Sequence, residues 1–281
     1  MGCESHSKCN IPADSLVLGI LGGGSLGSLI VQAAHAIGVK TAILDPSSRA
    51  PALRICDFPF TGALNDEHSI RALIAASTHL TYVSDTCDVG ILRKYAAVIP
   101  IHPSPETFSI TQDSLFLQQF LTSLQIPVVP AAAKRKSAAH HRKYILPLGR
   151  AHDGRLFYFP TTEIAMKGKN VDIISVRAQL STGDARKIKS ISRRIAESLR
   201  YVGVISIEFV ATEKKDIFVL SIIPHVHESG AHTIKSCTIS QFEEHVRLVC
   251  SLPPKRPRLK PMFADSRRIG NTMSENKNHS I

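Results

Sequence analysis

This 281-residue sequence has no tryptophan, and only 6% of it is aromatic. Tyr144 is the only aromatic near either of its two strongly basic runs. The interleaving of aromatic and basic residues used to bind single-stranded RNA is therefore missing, and the charge does not point to nucleic acid. There is no apolar run long enough to cross a bilayer and no basic-then-apolar secretory leader, so the expectation is a cytoplasmic protein with no membrane partner. No C-x-x-C pair occurs: the six cysteines at 3, 9, 56, 87, 237 and 250 are scattered, which argues against a zinc knuckle and a disulfide framework and for idle or buried thiols. The opening "MGCESH" lacks the Ser or Thr that a myristoylation signal needs at its sixth position, where His6 stands. Acid is missing from "KRKSAAHHRK" (134–143) and "KRPRLK" (255–260), which carry much of the formal +11 charge. Neither run has hydrophobic periodicity, the pattern of solvated linkers and tails.

Hydrophobic residues make up 43% of the chain, enough for one large or two ordinary domains. Residues 15–45 read as a βαβ unit. "LVLGIL" is a strand, Gly22, Gly24 and Gly27 form a G-x-G-x-x-G turn, "SLIVQAAHAIG" is an apolar-faced helix, and "KTAILD" is a second strand ending at Asp45. Such a turn aims a helix N-terminus at an anion. Asp45, 18 positions after Gly27, stands near where dinucleotide folds place a ribose-binding acid. The same glycines also serve any tight strand-to-helix turn, so a dinucleotide cofactor and a purely structural turn both stay open at this point. Further alternation predicts a helix at 67–77, strands at 79–84 and 96–102, and a helix from Asp113 to Leu124, with "PVVPAA" (127–132) closing the unit. That pattern implies a parallel sheet covered on both faces. Paired strands at 202–210 and 217–223 predict an antiparallel sheet in the second half, with helices on one side.

Five segments, "GILGGGSLGSLIVQAAHAIGVKTAILDP", "VIPIHPSPETFSITQD", "FLTSLQIPVVP", "LRYVGVISIEFV" and "SGAHTIKSCTISQFEEHVRLVCSLP", stand in the order found in carboxyaminoimidazole ribonucleotide synthetases. The chain resembles these ATP-grasp enzymes of purine synthesis, and the ATPase part of phosphoribosylaminoimidazole carboxylase, over residues 15–132 and 144–253. The resemblance displaces the dinucleotide reading. It implies a Rossmann-like pre-ATP-grasp domain with a parallel sheet, then a partial ATP-grasp α+β domain without its lid subdomain and C-terminal β module. The domain plan is a disordered leader (1–14), the pre-ATP-grasp domain (15–132), a basic linker (133–144), the partial ATP-grasp domain (145–253) and a basic disordered tail (254–281). Within that tail "PPKRPRLKP" resembles a short nuclear import signal.

The family's reaction joins bicarbonate to aminoimidazole ribonucleotide, with ATP and magnesium as cofactors. The resemblance places Glu208 at the first magnesium glutamate. The partner Asn-Glu pair is replaced by Leu220 and Ser221, and a following arginine by His225. The loop His227–Gly230 matches a His-Asn-Ser-Gly loop near the bicarbonate and imidazole, with Glu228 in place of the asparagine. His227, Ser229 and Asp85 are the candidate catalytic residues. Gly22, Gly24, Gly27, Asp45 and Glu163 are the candidate cofactor-binding residues. The family glutamate at 83 is Val83, its Asn and His after Glu163 are Ile164 and Met166, and its Gln and Arg in the glycine loop are Ser25 and Ser28. A three-histidine metal site around His225, His227 and His232 stays open as an alternative. Two functions are implied: a catalytically impaired or inactive ATP-grasp protein, or an active, shortened synthetase or derived ligase. A small nucleotide substrate and a homodimer are the partners implied.

Overall fold

The computed structural model describes residues 15–84, 86–128, 142–167, 170–211 and 216–263, and of 165–167 and 170–174 the backbone alone. The first half forms a four-stranded parallel sheet of β1 (Val17–Leu21), β2 (Lys40–Asp45), β3 (Phe58–Thr61) and β4 (His79–Tyr82), in the order β3-β2-β1-β4. Crossovers run through α1 (Ser25–His35) and α2 (Glu67–Ala75). Asp66 caps α2 by accepting the Ser69 N–H at 2.9 Å, satisfying one amide that the first helical turn leaves free. The strand expected at 96–102 shrinks to one parallel bridge, Leu80 to Ile101. The amides of Ala96, Val98 and Ile99 are used up by turns closing α3 (Val89–Tyr95). Next come α4 (Pro105–Gln112) and α5 (Ser114–Ser123), the latter capped by Asp113.

The second half is an antiparallel sheet ordered β10-β9-β5-β7-β8. Its strands are β5 (Arg142–Arg150), β7 (Thr162–Lys167), β8 (Asn170–Ser175), β9 (Gly203–Ala211) and β10 (Ile217–Ile223), with β6 (Leu156–Tyr158) paired to β5. Strands β9 and β10 are neighbours, as their patterning predicts. Helix α6 (Thr182–Ser198) buries Ile188, Ile191 and Ile195 against Ile205, Ile207 and Phe209. After the short α7 (Thr233–Ser236), helix α8 (Gln241–Val249) buries Phe242, Val246 and Val249 with Val204. Successive strand residues point to opposite faces. Val204 and Ile205 therefore put α8 and α6 on opposite sides of the sheet, where helices on one side were expected.

Packing divides the chain near residue 113 rather than at 132. Leu121 and Ile126 lie in the α6 core, and Val128 bridges Val219 of β10, so α5 and the segment after it belong with the second sheet. A third cluster joins the halves, with Ile30 and Val31 of α1 packing with Phe242 and Val246 of α8. The tail expected to be disordered from 254 is ordered to 263. Thr238 N donates to Arg258 O at 2.8 Å, Lys260 N donates to Ser236 O at 2.8 Å, and Pro257 is buried. Backbone pairing and a buried proline hold the basic run despite its polar composition. Among the described residues, no helix is long and apolar enough to cross a membrane.

Candidate functional site

The glycine turn is built by its neighbours. Gly22 has φ +107°, a conformation that favours glycine. A side chain on Gly27 would collide with the Gly22 carbonyl oxygen, so the helix can approach its own turn only without one. Gly24 caps α1 and is exposed, with open space where a side chain would stand. Asp45 closes the turn from β2: its Oδ2 accepts the Gly23 N–H at 2.7 Å and its Oδ1 accepts the Ser47 N–H at 2.8 Å. One oxygen thus holds the glycine turn and the other the turn after β2. Val83 lies against Gly22 as an apolar contact.

On β9, Glu208 stands in register with Ser221 of β10 and Ile145 of β5. The Ser221 hydroxyl donates to Glu208 Oε2 at 2.6 Å, and both residues are half-buried. A bulge between Val219 and Ser221 leaves Leu220 without a partner in the ladder. Glu163 of β7 is in register with Tyr144, which pairs with Phe209. It therefore shares the α6 face, opposite Glu208, where the Arg142 guanidinium lies 3.8 Å away. The structure does not bring these two glutamates together.

The loop after β10 is held from behind. His227 caps the single 3-10 turn Glu228–Gly230: its Nδ1 meets the Ser229 hydroxyl at 2.7 Å and accepts the Ser229 N–H at 3.3 Å. The buried Gln241 amide donates to the His227 carbonyl at 2.5 Å, and a side chain on Gly230 would run into that amide. Thr233 Oγ1 donates to the Gly230 carbonyl at 2.6 Å and accepts the Gln241 N–H at 3.0 Å. Glu228 is exposed. Gln241 and Thr233 position the loop, yet no local pattern marks them in the sequence.

The histidines are committed elsewhere. His225 Nδ1 lies 2.7 Å from the Val226 carbonyl, and His232 spans Thr162 Oγ1 at 3.1 Å and Ser236 Oγ at 2.8 Å. Burial lowers the His232 pKa to about 4. Among the described residues, no three His, Cys, Asp or Glu side chains converge as metal ligands, so the three-histidine reading fails on geometry. Another histidine ties the domains together. His245 Nδ1 accepts the Val204 N–H at 3.0 Å, leaving Nε2 to donate to Thr81 Oγ1 of β4 at 2.9 Å. Asp85 lies outside the described residues.

Two family models match in tandem, a ribonucleotide synthetase preATP-grasp domain over 16–112 and an ATP-grasp domain over 146–242. The chain is 28% identical to the N5-carboxyaminoimidazole ribonucleotide synthase of Bacillus subtilis, covering 87% of this chain and 79% of that protein. It is 26% identical to the phosphoribosylaminoimidazole carboxylase of Candida glabrata, covering 85% of this chain and 52% of the carboxylase, so it spans about half of that relative's length. The crystal structure of N5-carboxyaminoimidazole ribonucleotide synthetase from Thermotoga maritima superposes with a TM-score of 0.75 at 26% identity, over 87% of this chain and 78% of that one. Tandem domains, sequence and superposition together identify the chain as an N5-carboxyaminoimidazole ribonucleotide synthetase-like member of the ATP-grasp proteins.

Proposed function

We propose that this protein keeps the scaffold of an aminoimidazole-ribonucleotide carboxylating enzyme but has lost most or all of that activity. The observation carrying the proposal is the 2.6 Å hydrogen bond from Ser221 to Glu208. Magnesium bound beside a triphosphate is shared between protein carboxylates and phosphate oxygens. A hydroxyl adds no negative charge, and here its proton already occupies one glutamate oxygen. The residues present do not fit the magnesium of this family. Glu163 on the opposite face and Val83 against the glycine turn support the same reading. The expected result is no phosphate release above background with magnesium–ATP, bicarbonate and aminoimidazole ribonucleotide. Ser221→Glu should tighten manganese binding at least about tenfold, about 1.4 kcal/mol, read by calorimetry. Steady turnover that vanishes in Glu208→Gln would sink the proposal.

The second reading is an active, shortened synthetase. The His227–Ser229 turn favours it, because the turn keeps its shape and its support from Gln241. The same assay separates the two. A small nucleotide ligand, a cytoplasmic location and a homodimer belong to the proposal as family expectations. Light scattering in solution tests the dimer.

A further inference from the structure

A cavity of about 270 Å³ lies at the seam between the two halves, away from Glu208. One wall is a face of α1 with Leu29 and Ala33, and the other is formed by Ile234, Ile239 and Phe242 around α7 and α8. Seams between domains are common places for ligands, and the volume sits just below the lower end of the usual range of about 300–1,000 Å³. That is small for a nucleotide and suited to a compact molecule.

Two charged residues line it, Glu243 and Lys260. Glu243 is neutralised, because Arg247 Nη2 lies 2.8 Å and Lys255 Nζ 3.2 Å from its Oε1. Lys260 makes no ion pair among the described residues, while its backbone N–H is fixed to the Ser236 carbonyl at 2.8 Å. Its position beside the cavity is therefore set by the ordered segment after residue 253, and of the two lining charges its ammonium is the uncompensated one among the described residues. A lining that mixes Leu29, Ala33 and Phe242 with Gln32, Thr238, Ser240 and one unpaired cation suits a ligand with an apolar body and one negative group.

We propose that this seam cavity binds a small amphipathic monoanion, such as an aromatic carboxylate, with its ring against Leu29, Ala33 and Phe242 and its carboxylate on Lys260. The inference goes beyond the carboxylation reading and does not depend on it. A ligand there touches both halves, so binding raises the melting temperature of the whole chain.

The test uses the full chain and three probes of like size: benzoate, benzyl alcohol and benzylamine. Calorimetry and thermal shift should show benzoate bound at least about tenfold more tightly than the neutral alcohol, a difference of about 1.4 kcal/mol, and benzylamine not at all. Lys260→Gln should abolish that preference at unchanged stability, and Ala33→Phe should abolish binding of both benzoate and the alcohol. Glu208→Gln should leave benzoate binding intact, as should removal of residues 264–281. No saturation by about 10 mM benzoate, above the millimolar affinity of about −4.1 kcal/mol, would overturn the proposal. So would a benzoate preference that survives Lys260→Gln. Binding that emerges only after the tail is removed would also overturn it, by making the chain's own C-terminus the occupant.

Discussion

The two faces of the antiparallel sheet differ in kind. Under α6 the face is apolar: Tyr144, Leu146 and Leu148 of β5 and Ile205, Ile207 and Phe209 of β9 share one core. The face toward the first domain mixes Val204 with Ser206, whose buried hydroxyl has no partner among the described residues, and with the Glu208–Ser221 pair. On the α6 face any truncation leaves a hole in close-packed surroundings. On the other face Glu208 and Ser221 are half-exposed, so their identity matters little to packing. A side chain at these positions can therefore change with little effect on the fold. The positions most free to change are those where chemistry, rather than stability, constrained the choice.

The contrast can be broken most sharply at Phe209. Phe209→Ala should destabilise the protein by about 3–5 kcal/mol, read as a lower urea midpoint. A loss under about 1 kcal/mol would mean that the α6 face is loosely packed.

Acid probes the opposite face. Burial lowers the His245 pKa to about 3, so the folded state binds fewer protons here than the unfolded chain. Its stabilising contribution is complete above about pH 6.5 and drains away as pH falls toward 3, at about 1.4 kcal/mol per pH unit. Urea midpoints at about pH 6.5 and about pH 4.5, both within that window, should show a shallower decline in His245→Asn than in the parent. Equal slopes would remove His245 as the source.

Gln241→Ala strands the His227 carbonyl and should cost about 1–3 kcal/mol. Hydrogen exchange at residues 227–231 should accelerate while exchange under α6 stays slow. Uniform acceleration over the whole chain would instead make Gln241 part of the general core. The smallest effect belongs to Ser221→Ala, at under about 1 kcal/mol. A larger loss would show that the Glu208 pair stabilises the fold and that the two faces are less different than their burial suggests.

Much of this was legible in the sequence. Ile188, Ile191 and Ile195 at helical spacing marked the buried stripe of α6, and Phe242, Val246 and Val249 that of α8. The glycine turn and the paired strands β9 and β10 were equally plain, because short-range periodicity reports which residues share a face. That Ser221 stands where the family carries a carboxylate is what the resemblance alone implies. What the sequence could not report was which faces meet. Strand alternation puts every second residue on one side, but only the β5–β7 register turns Glu163 toward α6 and away from Glu208. Asp45 was a candidate for cofactor binding, and in the fold one of its oxygens holds the glycine loop and the other the turn after β2.

The sequence by itself determined the buried helix stripes and the glycine turn, since each is written in neighbouring residues and local geometry. Only the tertiary structure decided the rest. It set the His245 link to Thr81, across 164 positions of chain, and the order of the basic run after residue 253. Both depend on groups distant in sequence finding hydrogen-bond partners once apolar packing has brought α1 and α8 together, and no local pattern encodes such a meeting.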